Sequence, residues 1–197
     1  MKKFFIVIIA AALLLTSTAS ADADITVWIG KLSGEDLLIE GTVAYGAAVG
    51  FSFARYFGAE VVFDYIPNSE LPFNLEEFED LLGVDVRVDL YAISGNLLLQ
   101  YPVMDTVTPY FTIGYGVVGA NAKADIGGQT PEAWGAAPAT NWGFGAKFSV
   151  APWIAIRGDM RWYNLNLSVD DDIGDLLPTA VENPTLSRMS VGVAFTF

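Results

Sequence analysis

The sequence contains no cysteine and no histidine, and it is poor in basic residues. Without cysteine the chain forms no disulfide, and without either residue it lacks the usual ligands of zinc and haem. The absence of histidine also excludes every acid–base or nucleophile-activating arrangement that depends on an imidazole. Lysine and arginine number 10 against 23 acidic residues, for a formal net charge of −13. This balance disfavours a nucleic-acid partner, because phosphate binding requires a basic surface.

Long hydrophobic runs are also scarce. The run at residues 4–15 is shorter than the ~20 residues that a membrane-spanning helix needs. Lys2 and Lys3 precede it and Ala19-Ser20-Ala21 follows it, which is the pattern of a cleaved secretory signal peptide. We expect residues 1–21 to be removed on export and residues 22–197 to form one domain. A transmembrane anchor is the alternative interpretation.

Beyond residue 24 the hydrophobic pattern has period two, which indicates β-strands. In residues 142–150, large apolar side chains alternate with glycine, lysine and serine. Such a pattern places the two sets on opposite faces of a sheet. Eight strands are predicted, at residues 24–32, 43–54, 58–65, 86–101, 107–121, 140–150, 153–166 and 186–197.

Two features favour a membrane barrel over a soluble β-sandwich, which alternation alone would also fit. The polar face is rich in glycine, alanine and serine, which suits a crowded interior. The apolar face carries aromatic residues near the strand ends, as in the girdles of outer-membrane barrels: Tyr45, Tyr65, Tyr91, Tyr101, Trp142 and Trp162. The strand lengths also fit the ~9–11 residues of a tilted membrane crossing. We therefore predict an all-β protein, an eight-stranded antiparallel barrel in the outer membrane of a Gram-negative bacterium.

The predicted connections alternate between short (55–57, 104–106, 151–152) and long (33–42, 66–85, 122–139, 167–185). Outer-membrane barrels have short periplasmic turns and longer extracellular loops, so the long connections are expected outside the cell. They carry most of the acidic residues: Glu35, Asp36, Glu40, Glu70, Glu76, Glu77, Glu79, Asp80, Asp170, Asp171, Asp172 and Asp175. The acidic residues of these loops therefore predict an acidic outer surface that could bind an extracellular ligand.

Two loop segments carry more specific patterns. Residues 73–82 have apolar side chains at helical spacing before Gly83, which predicts a short amphipathic helix over the barrel mouth. Contact with a partner is the alternative role. Asp170, Asp171 and Asp172, with Asp175, could hold a divalent cation through oxygen ligands. Because an EF-hand spacing is lacking, a solvated acidic loop is the favoured interpretation, and we predict no metal site.

Directing the aromatic face towards lipid turns seven charged side chains inward: Glu60, Asp64, Lys147, Arg157, Asp159, Arg161 and Arg188. Charges at this depth require partners or water. The lumen of an eight-stranded barrel is only wide enough for side chains to fill it. These residues therefore predict a structural ion network in a polar, filled lumen, with a narrow polar path for small solutes or ions as the alternative. Glu60 and Arg157 are expected to belong to one network.

Several segments carry a resemblance to known proteins. Residues 45–53 form a glycine-rich strand that leads through a turn into the Gly-x-Glu strand at Gly58-Ala59-Glu60, and residues 109–116 and 154–162 are similar to a central strand and a penultimate strand with an inward arginine. The mature chain thus resembles the small outer-membrane barrels grouped around OmpA, OmpX and OmpW. The terminal strand 191–197 resembles the strand that the barrel-assembly machinery recognises, which assigns the assembly signal to Phe195 and Phe197.

The resemblance also implies a range of roles. These barrels include envelope-stabilising proteins, adhesins and channels for small hydrophobic compounds, and fold alone does not choose among them. We expect a non-enzymatic barrel without cofactor or catalytic residue, with a structural or surface-interaction role. Its expected partners are outer-membrane lipid, lipopolysaccharide and the barrel-assembly machinery. A narrow channel for small or hydrophobic solutes is the alternative.

Overall fold

Eight antiparallel strands form a closed barrel in which sequence neighbours pair and the last strand pairs with the first. The computed structural model describes residues 22–34, 39–67, 85–103, 106–125, 131–166 and 184–197. The strands are β1 (Asp22–Gly34), β2 (Ile39–Ala54), β3 (Phe57–Ile66), β4 (Asp85–Gln100), β5 (Val107–Asp125), β6 (Glu132–Ala151), β7 (Ile154–Leu165) and β8 (Thr185–Thr196). The predicted barrel and strand number are confirmed.

The described residues contain no helix that is both long enough and apolar enough to cross a membrane.

The barrel has two unlike ends. At one, which we call the turn end, two-residue turns follow β2 and β6, and β1 begins where β8 finishes. The backbone N–H of Phe197 donates to the carbonyl of Ala23 there, at 2.8 Å, and completes the ring of strands. At the other, which we call the loop end, the connections are residues 35–38, 67–84, 126–131 and 166–184. The short connections therefore lie at one end of the barrel and the longer ones at the other, largely as predicted.

Two of the loop-end connections are shorter than predicted. Residues 122–125 and 132–139 belong to β5 and β6, and the first connection spans only residues 35–38. The sequence Gly135-Ala136-Ala137-Pro138-Ala139 hides its strand because small residues give no alternation and proline is rare in strands. In the first hairpin the β1–β2 register shifts beyond Leu32, and Gly41 takes a φ of 59°, which glycine adopts readily.

The outward face is the bulky apolar face that the alternation predicts. Leu97, Phe144 and Val191 are 62%, 52% and 56% exposed, as lipid-facing side chains should be. Aromatic residues also stack in pairs near both ends of the strands. Tyr65–Tyr91 and Trp142–Trp162 lie towards the loop end, and Tyr56–Tyr101 and Trp153–Phe195 lie at the turn end. These pairs form the two girdles of an outer-membrane barrel.

The inward face alternates large side chains with glycine. Gly46 and Gly192 lie directly opposite Trp28 on the two strands that flank β1, and a Cβ at Gly46 would run into the indole ring. Gly145 lies opposite Tyr110 in the same way, and its Cβ would meet the tyrosine hydroxyl. Small residues thus make room for large ones in a narrow barrel.

Candidate functional site: the barrel interior

Six charged side chains interlock across the lumen. We call them the arginine cluster: Glu60 and Asp64 of β3, Arg157, Asp159 and Arg161 of β7, and Arg188 of β8. All six are buried. The three β7 residues share a face because they alternate along one strand. In the closed ring β3 and β7 are diametrically opposite, so the ion pairs between them span the interior.

Arg157 and Glu60 form the best-defined pair of the cluster. Arg157 Nη1 donates to Glu60 Oε2 at 2.8 Å, and Nη2 donates to Oε1 at 3.2 Å. Such a bidentate contact is a strong form of ion pair between a guanidinium and a carboxylate. Arg161 also donates to Glu60 through Nη2. One glutamate on β3 therefore binds two arginines from the opposite wall.

Asp159 is the centre of the cluster. Arg161 Nε donates to its Oδ1 at 2.9 Å, Arg157 Nη2 approaches its Oδ2 at 3.3 Å, and Arg188 Nη2 donates to Oδ1. Arg188 binds Asp64 through its other terminal nitrogen. The cluster holds three acids and three bases, so its formal charges cancel. Buried charges require such pairing, since an unpaired ion in a dry interior is very costly.

Aromatic side chains also bind the charges of the cluster. Tyr110 accepts a hydrogen bond from Arg157 Nε at 2.7 Å and donates its hydroxyl to Asp159 Oδ2 at 2.6 Å. Tyr163 donates its hydroxyl to Asp64 at 2.8 Å, and Trp28 Nε1 donates to the same carboxylate at 3.3 Å. The Arg188 guanidinium lies 4.8 Å from the centre of the Trp28 ring. Delocalised cations bind such rings favourably.

Of the seven charged residues that the sequence directs inward, six meet in the arginine cluster and Lys147 stands apart. Lys147 Nζ pairs with Asp24 Oδ2 at 2.6 Å, nearer the turn end, and both side chains are only slightly exposed. Asp24 also accepts a hydrogen bond from the Thr26 hydroxyl at 3.2 Å. With Asp24 included, the formal charges of these lumen residues cancel.

Sequence reasoning missed four side chains that bind the predicted charged residues, namely Asp24, Trp28, Tyr110 and Tyr163. A signal for each was present, because they share the inward parity of their strands with residues such as Thr26, Thr112 and Arg161. Asp24 was treated as a strand boundary. The aromatic residues look like girdle residues until the register places glycines opposite them.

The expectation of a wholly polar lumen is wrong. Towards the loop end every strand contributes to a buried apolar layer, which we call the apolar collar: Leu32, Ala44, Ile66, Val88, Leu90, Ala92, Val118, Ala139, Tyr163, Leu165 and Leu186. Alternation conceals this layer, since both faces of the strands are apolar at this height, as in Val117-Val118 and Leu90-Tyr91. The interior is therefore ionic in the middle and apolar towards one mouth.

The remaining predicted features fall largely outside the described residues. The amphipathic segment 73–82, the aspartates at 170–175 and most acidic loop residues belong to this part of the chain, as does the predicted signal peptide. Phe195 and Phe197 are described. Both lie at the turn end, where Phe195 stacks on Trp153 with ring centres 6.4 Å apart and Phe197 is exposed.

The sequence matches the family of the outer membrane protein beta-barrel domain over residues 7–197. The chain belongs to this family. The protein is therefore an outer-membrane β-barrel, as its aromatic girdles and apolar outer face indicate. A comparison with curated proteins finds no match.

Solved structures of other outer-membrane barrels are similar to this one. A major outer membrane protein of Thermus thermophilus has a TM-score of 0.63 at 12% identity, covering 90% of this chain and 100% of that one. Neisserial surface protein A scores 0.58 at 15% identity, with 90% and 97% covered. Ail, the attachment invasion locus protein of Yersinia pestis, in complex with the heparin analogue sucrose octasulfate, scores 0.56 at 12% identity, with 91% and 100% covered. At these identities the likeness shows the fold alone.

Proposed function

We propose that this outer-membrane barrel is neither an enzyme nor an open pore, and that it serves as a structural element that carries binding loops at the cell surface. The observation behind the proposal is the arginine cluster, whose side chains meet across the whole width of the lumen. An interior filled by interlocked side chains fits an anchor better than a conduit. The apolar collar adds a second obstruction nearer the loop end.

The loop end is proposed to face outside the cell, in keeping with the short periplasmic turns of such barrels. The long connections would then present their acidic residues outwards, in a chain of net charge −13. A positively charged ligand suits such a surface, and a sulfated one does not. In this respect we expect the protein to differ from Ail, which binds a heparin analogue. Binding of cationic and sulfated ligands to bacteria that display the protein would test the difference.

Export and assembly follow from the two ends of the chain. We propose that residues 1–21 are cleaved, which agrees with the start of β1 at Asp22. Phe195 and Phe197 are proposed to be read by the barrel-assembly machinery, and outer-membrane lipid and lipopolysaccharide to surround the finished barrel. The mass of the protein from purified outer membranes tests the cleavage site. A mature chain that retains residues 1–21 would contradict it.

Planar-bilayer recording tests the closed lumen directly. Purified and refolded protein should insert without producing discrete conductance steps. A heat-treated sample on a gel serves as the control for folding, because a closed barrel resists detergent until boiled and then migrates differently. Reproducible conductance from protein that passes this control would refute the proposal.

A narrow path for small hydrophobic solutes is the second candidate. One observation favours it, since the apolar collar supplies a lumen section compatible with such solutes. The arginine cluster opposes it, because a solute on the axis would have to displace paired charges. Uptake of a small apolar dye by vesicles that contain the protein distinguishes the two. Uptake above that of protein-free vesicles would favour the path.

A further inference from the structure

Several buried polar atoms in the lumen have no hydrogen-bond partner among the described residues. They are Asn96 Oδ1, Thr112 Oγ1, both side-chain atoms of Asn141, Arg161 Nη1 and Arg188 Nε. All five side chains are buried. A buried polar group without a partner is destabilising, because it has lost its hydrogen bonds to water. Such groups in proteins are usually satisfied by internal water.

These atoms fall into two groups of neighbouring residues. Gly114 pairs with Asn96 on one side and with Asn141 on the other, so the two amides flank one glycine on neighbouring strands. On the other wall, Arg161 and Arg188 pair directly on β7 and β8, so their unpartnered nitrogens also belong to neighbouring residues. A buried water molecule needs several polar partners within reach, and these groups supply them.

Water suits this set better than an ion. The arginine cluster is already balanced, with three acids and three bases, so a bound ion would leave a net charge in the interior. The unpartnered atoms include donors, such as Arg161 Nη1, and acceptors, such as Asn96 Oδ1. A water molecule satisfies both kinds.

The two ends of the lumen differ in the polarity of the side chains that line them. Towards the turn end the lining combines small apolar residues such as Ala155 with polar groups. The polar groups include the Lys147–Asp24 pair and a 3.0 Å hydrogen bond from Gln100 to Ser52, and 16% of the Lys147 side chain is exposed. Towards the loop end the apolar collar presents aliphatic side chains from all eight strands. Narrow apolar constrictions exclude water and thereby block ions.

We infer that water occupies the lumen from the turn end up to the arginine cluster and is excluded from the apolar collar. The cluster then obstructs solutes larger than water, and the dry collar is the barrier to small ions. The inference rests on the proposed closed lumen and names the layer that closes it to ions.

The hydration pattern is measurable in the unaltered protein. Nuclear magnetic resonance of the refolded protein in nanodiscs should show magnetisation transfer from water to the side-chain amides of Asn96 and Asn141. The methyl groups of Leu90 and Val118 should show none. Asn96→Leu and Asn141→Leu variants assign the amide signals. Transfer to the collar methyls, or its absence at both amides, would overturn the inference.

Conductance of two variants tests the barrier. Leu90→Ser with Val118→Ser makes the collar polar on neighbouring strands, and it should produce ion flux in vesicles where the unaltered protein gives none. Glu60→Gln with Arg157→Gln removes a cluster pair without a net change of charge, and it should stay closed. Flux through the cluster variant combined with a closed collar variant would overturn the inference.

The outcomes also separate this inference from the proposed function. Flux through the unaltered protein contradicts the closed lumen itself, whatever the variants do. A closed unaltered protein with a closed, correctly folded collar variant contradicts only the role of the collar. Migration of unboiled and boiled samples confirms that each variant folds before its flux is counted.

Discussion

Arg157 and Glu60 form a bidentate ion pair across the lumen, although they are separated by 97 positions in the sequence. Each stands on a strand directly opposite the other in the closed ring. The sequence predicts that both belong to one network, and in the structure they are in direct contact. The pair therefore connects β3 and β7, on opposite sides of the barrel.

The pair predicts strong coupling in a double-mutant cycle. Glu60→Met or Arg157→Met alone should lower the free energy of unfolding by about 3–5 kcal/mol, because each leaves a buried charge unmatched. The double variant keeps two acids and two bases in the cluster, so it should be clearly more stable than the sum of the single losses implies. Urea titration of the protein in lipid vesicles measures all three.

A second cycle controls for overall charge. Glu60→Met with Lys147→Met also removes one acid and one base, but Lys147 pairs with Asp24, whereas Glu60 pairs with arginines of the cluster. Their losses should add, within the few tenths of a kcal/mol typical of separate sites. Additive losses for Glu60 and Arg157 as well would refute the direct pairing.

Asp159 should be the most sensitive carboxylate of the lumen. It is bound by three arginines and a tyrosine, so Asp159→Asn leaves the cluster with a net positive charge and should cost about 3–5 kcal/mol of unfolding free energy. Asp24→Asn is the matched control. Its partner Lys147 is closer to water, so the loss should be smaller. Equal losses in urea titrations would contradict the central position of Asp159.

Two glycines on neighbouring strands should respond in opposite ways to alanine. At Gly145 a Cβ would meet the Tyr110 hydroxyl and the carbonyl of Gly158, so Gly145→Ala should cost about 1–3 kcal/mol. At Gly158 a Cβ meets nothing within 4 Å, and this outward position should tolerate alanine or gain about 0.5–1 kcal/mol. Unfolding midpoints in urea give the comparison. A similar loss at both sites would contradict the assigned faces.

The alternation of side chains predicts most of the fold. It can be read from the sequence wherever one face of a strand is bulky and the other is small or charged. In β7 it places Arg157, Asp159 and Arg161 on one face, and the structure brings all three into the cluster. The strand count and the short turns follow from the same pattern. The charged members of the interior were thus accessible from the sequence.

The rest required the register between strands. Trp28 shares the inward parity of Thr26 but has the size of a girdle residue, and the glycines opposite it on β2 and β8 show that it fits inside. The sequence pattern does not identify the apolar collar for a related reason. Residues such as Leu90 and Val118 have apolar neighbours on the opposite face of the strand. A period-two pattern cannot assign faces when both are apolar.

The central claim is that the bulky apolar face meets lipid while the charged face lines the axis. The chain has no cysteine, so a single introduced cysteine carries a spin label without interference. Labels at Phe144 and Lys147 of β6, in lipid vesicles, test the claim most directly. We expect strong relaxation by dissolved oxygen at residue 144, which is 52% exposed and faces lipid, and weak relaxation at residue 147. The reverse pattern would contradict it.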